Sequence, residues 1–249
     1  PLNAARLFAS ALEERSADPA VIEIAGRIDS SMRAAEEVLD DMLDIARLES
    51  GTMRTEVVDF DLAEVYEGLE RQFAPLAARR GLRLRVMRPR CHVRSDRVLL
   101  RRVLQNLISN ALRYTREGGV LVGCQRRGRH VDLCVWDTGP GIPEAHQRAI
   151  FEEFRRLDRP SPWGEKGLGL GLSICDRIAR LLGLELSLRS VPGRGSLFRV
   201  RVPLGSAAQV EPPAPAETPP ATAPSSLVGL KALCIDNEPE ILSGMSALM

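Results

Sequence analysis

The residues of this chain best suited to chemistry lie between 106 and 171. Asn106 and Asn110 stand four apart. Asp137-Thr138-Gly139-Pro140-Gly141-Ile142-Pro143 follows, then Phe151-Glu152-Glu153-Phe154, then Gly167-Leu168-Gly169-Leu170-Gly171-Leu172. A carboxylate is a pure hydrogen-bond acceptor, so Asp137 at a strand end suits the exocyclic amine of a base. Glycines let a backbone approach a ligand with no Cβ in the way. A glycine cluster that opens a helix offers free N–H groups and a positive dipole to phosphates. Amides one helical turn apart put both oxygens on one face. The repeat Gly167–Gly171 alone fits any loop-to-helix turn. Its order relative to Asp137, Asn106 and Asn110 is what reads as a nucleotide pocket, with the segment between the glycine clusters as a mobile lid.

The elements that hold these residues follow from periodicity. Residues 1–50 read as two helices. Leu2, Ala5, Ala9 and Leu12 recur at helical spacing, Ser16-Ala17-Asp18-Pro19 interrupts them, and Pro19 suits a first turn. Ile28, Met32, Ala35, Leu39, Met42 and Ala46 form a heptad seam that Gly51 ends. Two helices with one apolar seam each cannot bury it alone, so the expectation is a four-helix bundle built by a homodimer. The alternative is a hairpin packed on the next domain. Residues 54–204 read as one domain. It opens with a strand at 56–60, and Asp61 with Glu64 caps a helix that runs to about Arg80 and stops at Gly81. A half-buried strand spans 82–87, and Ser95 caps a helix through Tyr114. Strands 120–126 and 131–136 join at Arg127-Gly128-Arg129. A helix over 170–182 precedes strands 184–190 and 196–203. Hairpins with helices to one side give an α+β, two-layer sandwich.

Residues 205–226 carry six prolines among Ala, Ser and Thr and predict a semi-extended linker with no core. Residues 227–249 restart order: an apolar strand at 230–235 ends in Asp236-Asn237-Glu238, and Ile241, Leu242 and Met245 begin an amphipathic helix. Acidic residues at a strand end suit a hard cation such as Mg²⁺.

Composition narrows the class. In 249 residues, 44% hydrophobic and 27% charged content is ordinary for one or two globular domains. A net charge of +1 gives no global pull toward nucleic acid. No apolar run approaches the ~20 residues of a membrane span. The five cysteines form no C-x-x-C pair and read as reduced core residues of an intracellular protein. The chain opens and closes inside helical patterns, as a piece of something longer would.

Leu104-Gln105-Asn106-Leu107-Ile108-Ser109-Asn110-Ala111-Leu112-Arg113-Tyr114-Thr115, followed by the two glycine stretches and the phenylalanine pair, resembles the sensor histidine kinases of two-component systems. The four motif boxes of their ATP-binding domain stand in order. The resemblance implies the Bergerat fold shared with gyrase-type ATPases, with ATP and Mg²⁺ as cofactors. It implies dimerisation helices over 1–53, a catalytic ATP-binding domain over 54–204, the linker over 205–226, and the truncated start of a receiver domain over 227–249, hence a hybrid kinase. Asn110 would coordinate Mg²⁺, with Asn106 beside it. Arg113 would reach a phosphate, and Tyr114 would line the nucleotide. Asp137 would accept from the adenine amine, with Gly139, Gly141 and Ile142 close to the base. Phe151 and Phe154 would anchor the lid, Phe154 also belonging to the ATP-binding set. Lys166, Gly167, Leu168, Gly169, Leu170 and Gly171 would wrap the phosphates, and Ser196 would lie near the adenine. Asp236 would hold the receiver's Mg²⁺.

Two departures stand out. The family's phosphoacceptor histidine precedes a Pro-Leu pair, so the resemblance places it just upstream of Pro1, and no catalytic residue is expected within the chain. His92, His130 and His146 read as ordinary surface histidines. Receivers show two adjacent acids where this chain has Asp236-Asn237, and an asparagine lends an oxygen but no charge. The implied partners are a second copy through the N-terminal helices and a response regulator or receiver domain. No nucleic acid and no membrane contact are implied for this piece, which would act in the cytoplasm, with any membrane anchor upstream. Two other classes compete: a gyrase-like or chaperone-like ATPase that hydrolyses ATP, and a pseudokinase scaffold. Hydrolytic relatives place a glutamate four residues before the Mg²⁺ asparagine as general base. Asn106 occupies that position here and is a poor base. The scaffold reading lacks support because every nucleotide box is present.

Overall fold

A computed structural model describes residues 2–16, 18–155, 162–163 and 169–207. Lys166, Gly167, Leu168, the linker from 208 onward and the segment with Asp236 lie outside the described residues. The chain divides into two units, the first running to Leu43 and the second beginning at Asp44.

The first unit consists of α1 (Leu2–Arg15) and α2 (Pro19–Glu49) as far as Leu43. The Asp18 carboxylate accepts the Ala20 N–H at 2.9 Å, so α2 starts with Pro19 in its first turn as its sequence predicts. Among the described side chains of these helices, those buried are small: Ala4, Ala9, Ala11 and Ala25. Arg6 bridges them, pairing with Asp29 at 3.2 Å and Glu36 at 2.9 Å. Several large apolar side chains are exposed, with Ile28 at 39% exposure, Leu39 at 49% and Met42 at 47%.

In the second unit, the end of α2 packs Ile45 and Leu48, with Met53, on the core. β1 (Val57–Asp61), α3 (Leu62–Arg79), β2 (Arg83–Val86), β3 (His92–Asp96), α4 (Arg97–Tyr114), β4 (Gly119–Arg127) and β5 (His130–Asp137) follow. Two short 3₁₀ turns at Glu144–His146 and Ala149–Phe151 precede α5 (Gly171–Leu181), β6 (Glu185–Val191) and β7 (Gly195–Pro203). The main sheet has the order β2-β4-β5-β7-β6, parallel only between β2 and β4. Alternate residues of its central strands (Val120 and Val122, Val131, Leu133 and Val135, Phe198, Val200 and Val202) form one core with α3, α4 and α5. This is the α+β two-layer architecture.

Two local expectations change. Residues 92–96 form β3, an antiparallel partner of β1; five residues with arginine and aspartate at alternating places carry too little apolar pattern to announce a strand. The cap of α4 is Asp96 rather than Ser95. Its Oδ1 accepts the N–H groups of Val98 and Leu99, both at 2.9 Å, while Oδ2 accepts the Glu56 N–H at 2.9 Å. Ser95 instead belongs to the strand, with its Oγ buried and unpartnered. Asp96→Ala is therefore expected to cost about 2 kcal/mol in urea unfolding. Ser95→Ala is expected to be neutral or stabilising, because it removes a polar group buried without a partner. A larger loss at Ser95 than at Asp96 would reverse the assignment.

The described cysteines carry no disulfide. Burial pushes the Cys124 thiol up to about 11 and raises those of Cys91 and Cys134, which holds all three in the thiol form at neutral pH.

Candidate functional site

β5 delivers Asp137 to the sheet edge next to the start of β7. Its Oδ1 accepts the Gly139 N–H at 2.8 Å and the Ser196 N–H at 3.3 Å. With Oδ1 so occupied, Oδ2 is the oxygen available to a ligand's amine. Burial raises the Asp137 carboxyl above its ordinary range, against the opposing pull of the Gly139 and Ser196 backbone N–H groups and the Ser196 hydroxyl.

Two glycines are obligatory around this carboxylate, and a third is closely fitted. Gly195, at φ +102°, would drive a Cβ into the Asp137 carbonyl, and Gly141, at φ +66°, into the Val191 carbonyl. A Cβ on Gly139 would lie 2.8 Å from Asp137 Oδ1, 3.3 Å from Thr115 Oγ1 and 3.4 Å from the Tyr114 carbonyl oxygen. The loop after Asp137 therefore runs directly against the end of α4.

α4 carries the other half of the site. Its apolar face buries Leu100, Val103, Leu104, Leu107, Ile108 and Ala111, leaving Asn106, Asn110, Arg113 and Tyr114 half-buried along its rim. The Asn106 Nδ2 is buried with no hydrogen-bond partner. A Cβ on Gly171 would sit 3.6 Å from the Asn106 side chain, so the first residue of α5 abuts Asn106. No side chain caps α5 at Leu170, which leaves first-turn N–H groups for a ligand. Among the described residues no cluster of three acids, histidines or cysteines stands ready for a metal. The amides of Asn106 and Asn110 are neutral donors, and they suit a Mg²⁺ that arrives with the charge of a triphosphate.

The sequence pairs Phe151 and Phe154 as expected anchors of the lid. Phe151 packs edge-on to Phe198, with ring centroids 6.5 Å apart. Phe154 is 62% exposed and takes a left-handed backbone, φ +58°, which turns it away from the core. Next to it, the Arg155 carbonyl lies 2.9 Å from where a Gly169 Cβ would be, so the chain leaving the first phenylalanines touches the second glycine cluster.

Four residues outside the expected set hold this site together. Trp163 donates its indole N–H to the Thr115 carbonyl at 3.3 Å, and the Arg80 guanidinium lies 5.5 Å from its ring centre. Thr138 Oγ1 accepts the Gly119 N–H at 3.0 Å and donates to the Glu117 carbonyl at 3.0 Å. Ser190 and Gln147 tie the loop after Asp137 to β6. Only the single tryptophan between the glycine clusters carried a signal, since a large aromatic in a polar segment calls for a surface to cover. His92 lies half-buried in β3, and His130 and His146 are exposed.

Comparison with known proteins places the same stretch. Residues 95–206 match the family described as histidine kinase-, DNA gyrase B-, and HSP90-like ATPase. The alginate biosynthesis sensor protein KinB of Pseudomonas aeruginosa is 31% identical over 210 residues, covering 82% of this chain and 35% of that protein. The virulence sensor protein BvgS of Bordetella bronchiseptica is 36% identical, over 83% of this chain and 17% of its own. The adaptive-response sensory kinase SasA of Crocosphaera subtropica is 32% identical, over 82% and 56%. The chain thus spans from about a sixth to just over half of these relatives. Among solved structures, full-length ShkA in complex with AMPPNP aligns with a TM-score of 0.68 at 26% identity, covering 83% of this chain and 44% of that one. The catalytic domain of the histidine kinase ThkA aligns at 0.51 and 26%, over 59% and 95%.

Proposed function

We propose, from the premise that this chain belongs to the sensor histidine kinases and carries their ATPase domain at residues 95–206, that it binds ATP with Mg²⁺ and passes the γ-phosphoryl group to a histidine of the dimerisation helices for relay to a receiver aspartate in two-component signalling. The observation that carries this reading is the junction at Gly139. There the loop of the Asp137 acceptor closes on the end of α4, the helix whose Asn106 abuts the uncapped start of α5. That a structural neighbour holds AMPPNP supports an adenine nucleotide.

In this reading Asp137 Oδ2 accepts the adenine amine while its Oδ1 stays tied to the backbone. The N–H groups opening α5 face the phosphates, and the buried Asn106 Nδ2 finds a phosphate oxygen as the partner it lacks. Asn110, with the Asn106 carbonyl oxygen beside it, would hold Mg²⁺. When bound, Mg²⁺ neutralises phosphate charge. Arg113 and Tyr114 sit on the same rim for phosphate and nucleotide contact. Lys166 belongs to the same proposal. Phosphoryl transfer depends mostly on positioning and charge neutralisation, so this domain needs no base of its own when another element brings the nucleophile. Calorimetry with ATP and Mg²⁺ tests the pocket. Saturable binding is expected, and its absence in a folded chain overturns the reading.

The hydrolytic alternative shares the family description, and Asn106 separates the two. Asn106→Glu is expected to raise phosphate release at saturating ATP, because a carboxylate one turn before Asn110 can deprotonate water. General-base catalysis reaches ~10²–10⁴-fold when geometry is right. The expected gain is much smaller, since no water site was built for it. A variant that binds ATP but hydrolyses no faster removes Asn106 as the discriminator.

The same reading includes a homodimer and a response regulator or receiver domain as partners, on the cytoplasmic side where ATP is available. No described helix is long and apolar enough to cross a membrane. A hairpin that buries alanines and exposes Ile28, Leu39 and Met42 favours the second copy, at ~1.5–3 kcal/mol for each large side chain covered. Sedimentation is expected to show a dimer at tens of micromolar, and a monomer there contradicts self-association of this chain.

A further inference from the structure

The loop after Asp137 has no strand to hold it. Nevertheless Ile142 has both backbone groups engaged, and by side chains from elsewhere. Its N–H donates to Ser190 Oγ at 2.8 Å, and its carbonyl accepts from Gln147 Nε2 at 3.0 Å. Gln147 Nε2 also donates to the Ser190 carbonyl at 3.0 Å, so one amide clamps the loop and the strand together. The Ser190 hydroxyl further donates to the Gly195 carbonyl at 3.0 Å and meets the Ser196 hydroxyl at 3.0 Å. The Ser190 proton is thus committed to the Gly195 carbonyl while its oxygen accepts from the Ile142 N–H. Ser196 in turn supplies a backbone N–H to Asp137. The Gly193 N–H donates to the Pro140 carbonyl at 2.8 Å, which closes the same loop against the β6–β7 turn.

We propose that Ser190 and Gln147 are positioning residues for base recognition: they lock the 139–142 loop and Ser196 to the β6–β7 hairpin so that Asp137 meets the base in one prepared geometry. The inference rests on the nucleotide reading above and adds to it the two side chains that set selectivity for an amine-bearing purine. Neither touches the base. Ser190 is half-buried at the far end of the hydrogen bonds, and Gln147 lies beyond the loop on the second residue after a 3₁₀ turn's centre. Their effect comes from ordering the loop before the nucleotide arrives. A loop left free must be ordered during binding, which subtracts from affinity.

The test compares ATP with inosine triphosphate, which shares sugar and phosphates but has a carbonyl where adenine has its amine. Ser190→Ala and Gln147→Ala are each expected to weaken ATP about tenfold, as lost preorganisation and one to two hydrogen bonds imply. Inosine triphosphate, which gains nothing from Asp137, is expected to be almost unaffected, so the ratio of the two affinities falls. Ser190→Thr keeps the hydroxyl and is expected to restore the ratio. Equal weakening of both nucleotides indicates general damage and overturns the proposal, as does unchanged ATP affinity in both alanine variants. Gln147 lies outside the sheet, so its variant keeps the test open even if Ser190→Ala fails to fold. Failure of the unsubstituted chain to bind ATP is seen before any variant is made, and it overturns the nucleotide reading itself.

Discussion

Asp137→Asn is expected to weaken ATP binding roughly 10- to 100-fold and, at neutral pH, to raise the melting temperature of the nucleotide-free domain. The loss follows from hydrogen-bond direction. Asparagine can still accept the Gly139 N–H through its oxygen, but it then turns an NH₂ group toward the adenine amine, donor against donor. A hydrogen bond to a charged acceptor, worth about 1.5–3 kcal/mol, is replaced by a repulsive contact. The gain in stability follows from burial. The folded-state carboxyl is raised above its unfolded value, mainly by desolvation. Its contribution to stability is then fully present below the unfolded value and is lost as pH rises through the folded one. At neutral pH the charged carboxylate is a cost that asparagine does not carry. At acid pH the protonated aspartate resembles asparagine, and the difference in melting temperature is expected to close. Calorimetry and melts across pH 4–8 read both effects. Unchanged ATP affinity removes Asp137 from base recognition, and a melting difference independent of pH removes burial as the reason.

Gly195→Ala is expected to abolish nucleotide binding and to destabilise the domain by more than about 3 kcal/mol, a large part of the ~5–15 kcal/mol of a typical domain. Two costs combine. A non-glycine residue in such a backbone region costs about 1–3 kcal/mol. In addition, the new methyl group aims at the Asp137 carbonyl, and no flexible side chain is there to yield. Relief requires β5 and β7 to part where they place Asp137 opposite Ser196. Gly193 supplies the control. It has φ +77° but nothing within 4 Å of its missing Cβ. Gly193→Ala should therefore show only the backbone cost, about 1 kcal/mol. Urea unfolding and ATP calorimetry on both variants decide the point. Equal losses at the two glycines would mean that backbone conformation, and not the approach to Asp137, sets the requirement.

Much of the site was legible because its chemistry is carried by residues close in sequence. Asn106 and Asn110 share a helix rim at one-turn spacing. Asp137 and Gly139 meet across two residues, and Gly171 opens a helix as its cluster suggests. Where a short-range preference competed with a neighbour, the sequence was ambiguous. Ser95 and Asp96 are both good caps, and the choice fell to Asp96 because β3 pairs with β1 and turns Ser95 inward. Phe151 and Phe154 look alike in sequence, yet Phe198 receives only the first.

By itself the sequence determined the order of the helices and of every strand but β3 in the second unit, the α+β class, the amides on one rim of α4, and the acid and glycines of the turn after β5. Each depends on periodicity, capping or backbone freedom within a few residues. Tertiary structure alone decided the rest. It brought Ser190 and Gln147 to Ile142, Trp163 to Thr115, and the Asp137 carbonyl to the missing Cβ of Gly195. Apart from Gln147 and Ile142, five residues from each other, these contacts join residues far apart in the chain through polar groups that have no periodic pattern. The Ser190 and Gly195 contacts exist because β5 and β6 both pair with β7, a pairing that hydrophobic burial across the whole sheet sets and that no local stretch encodes.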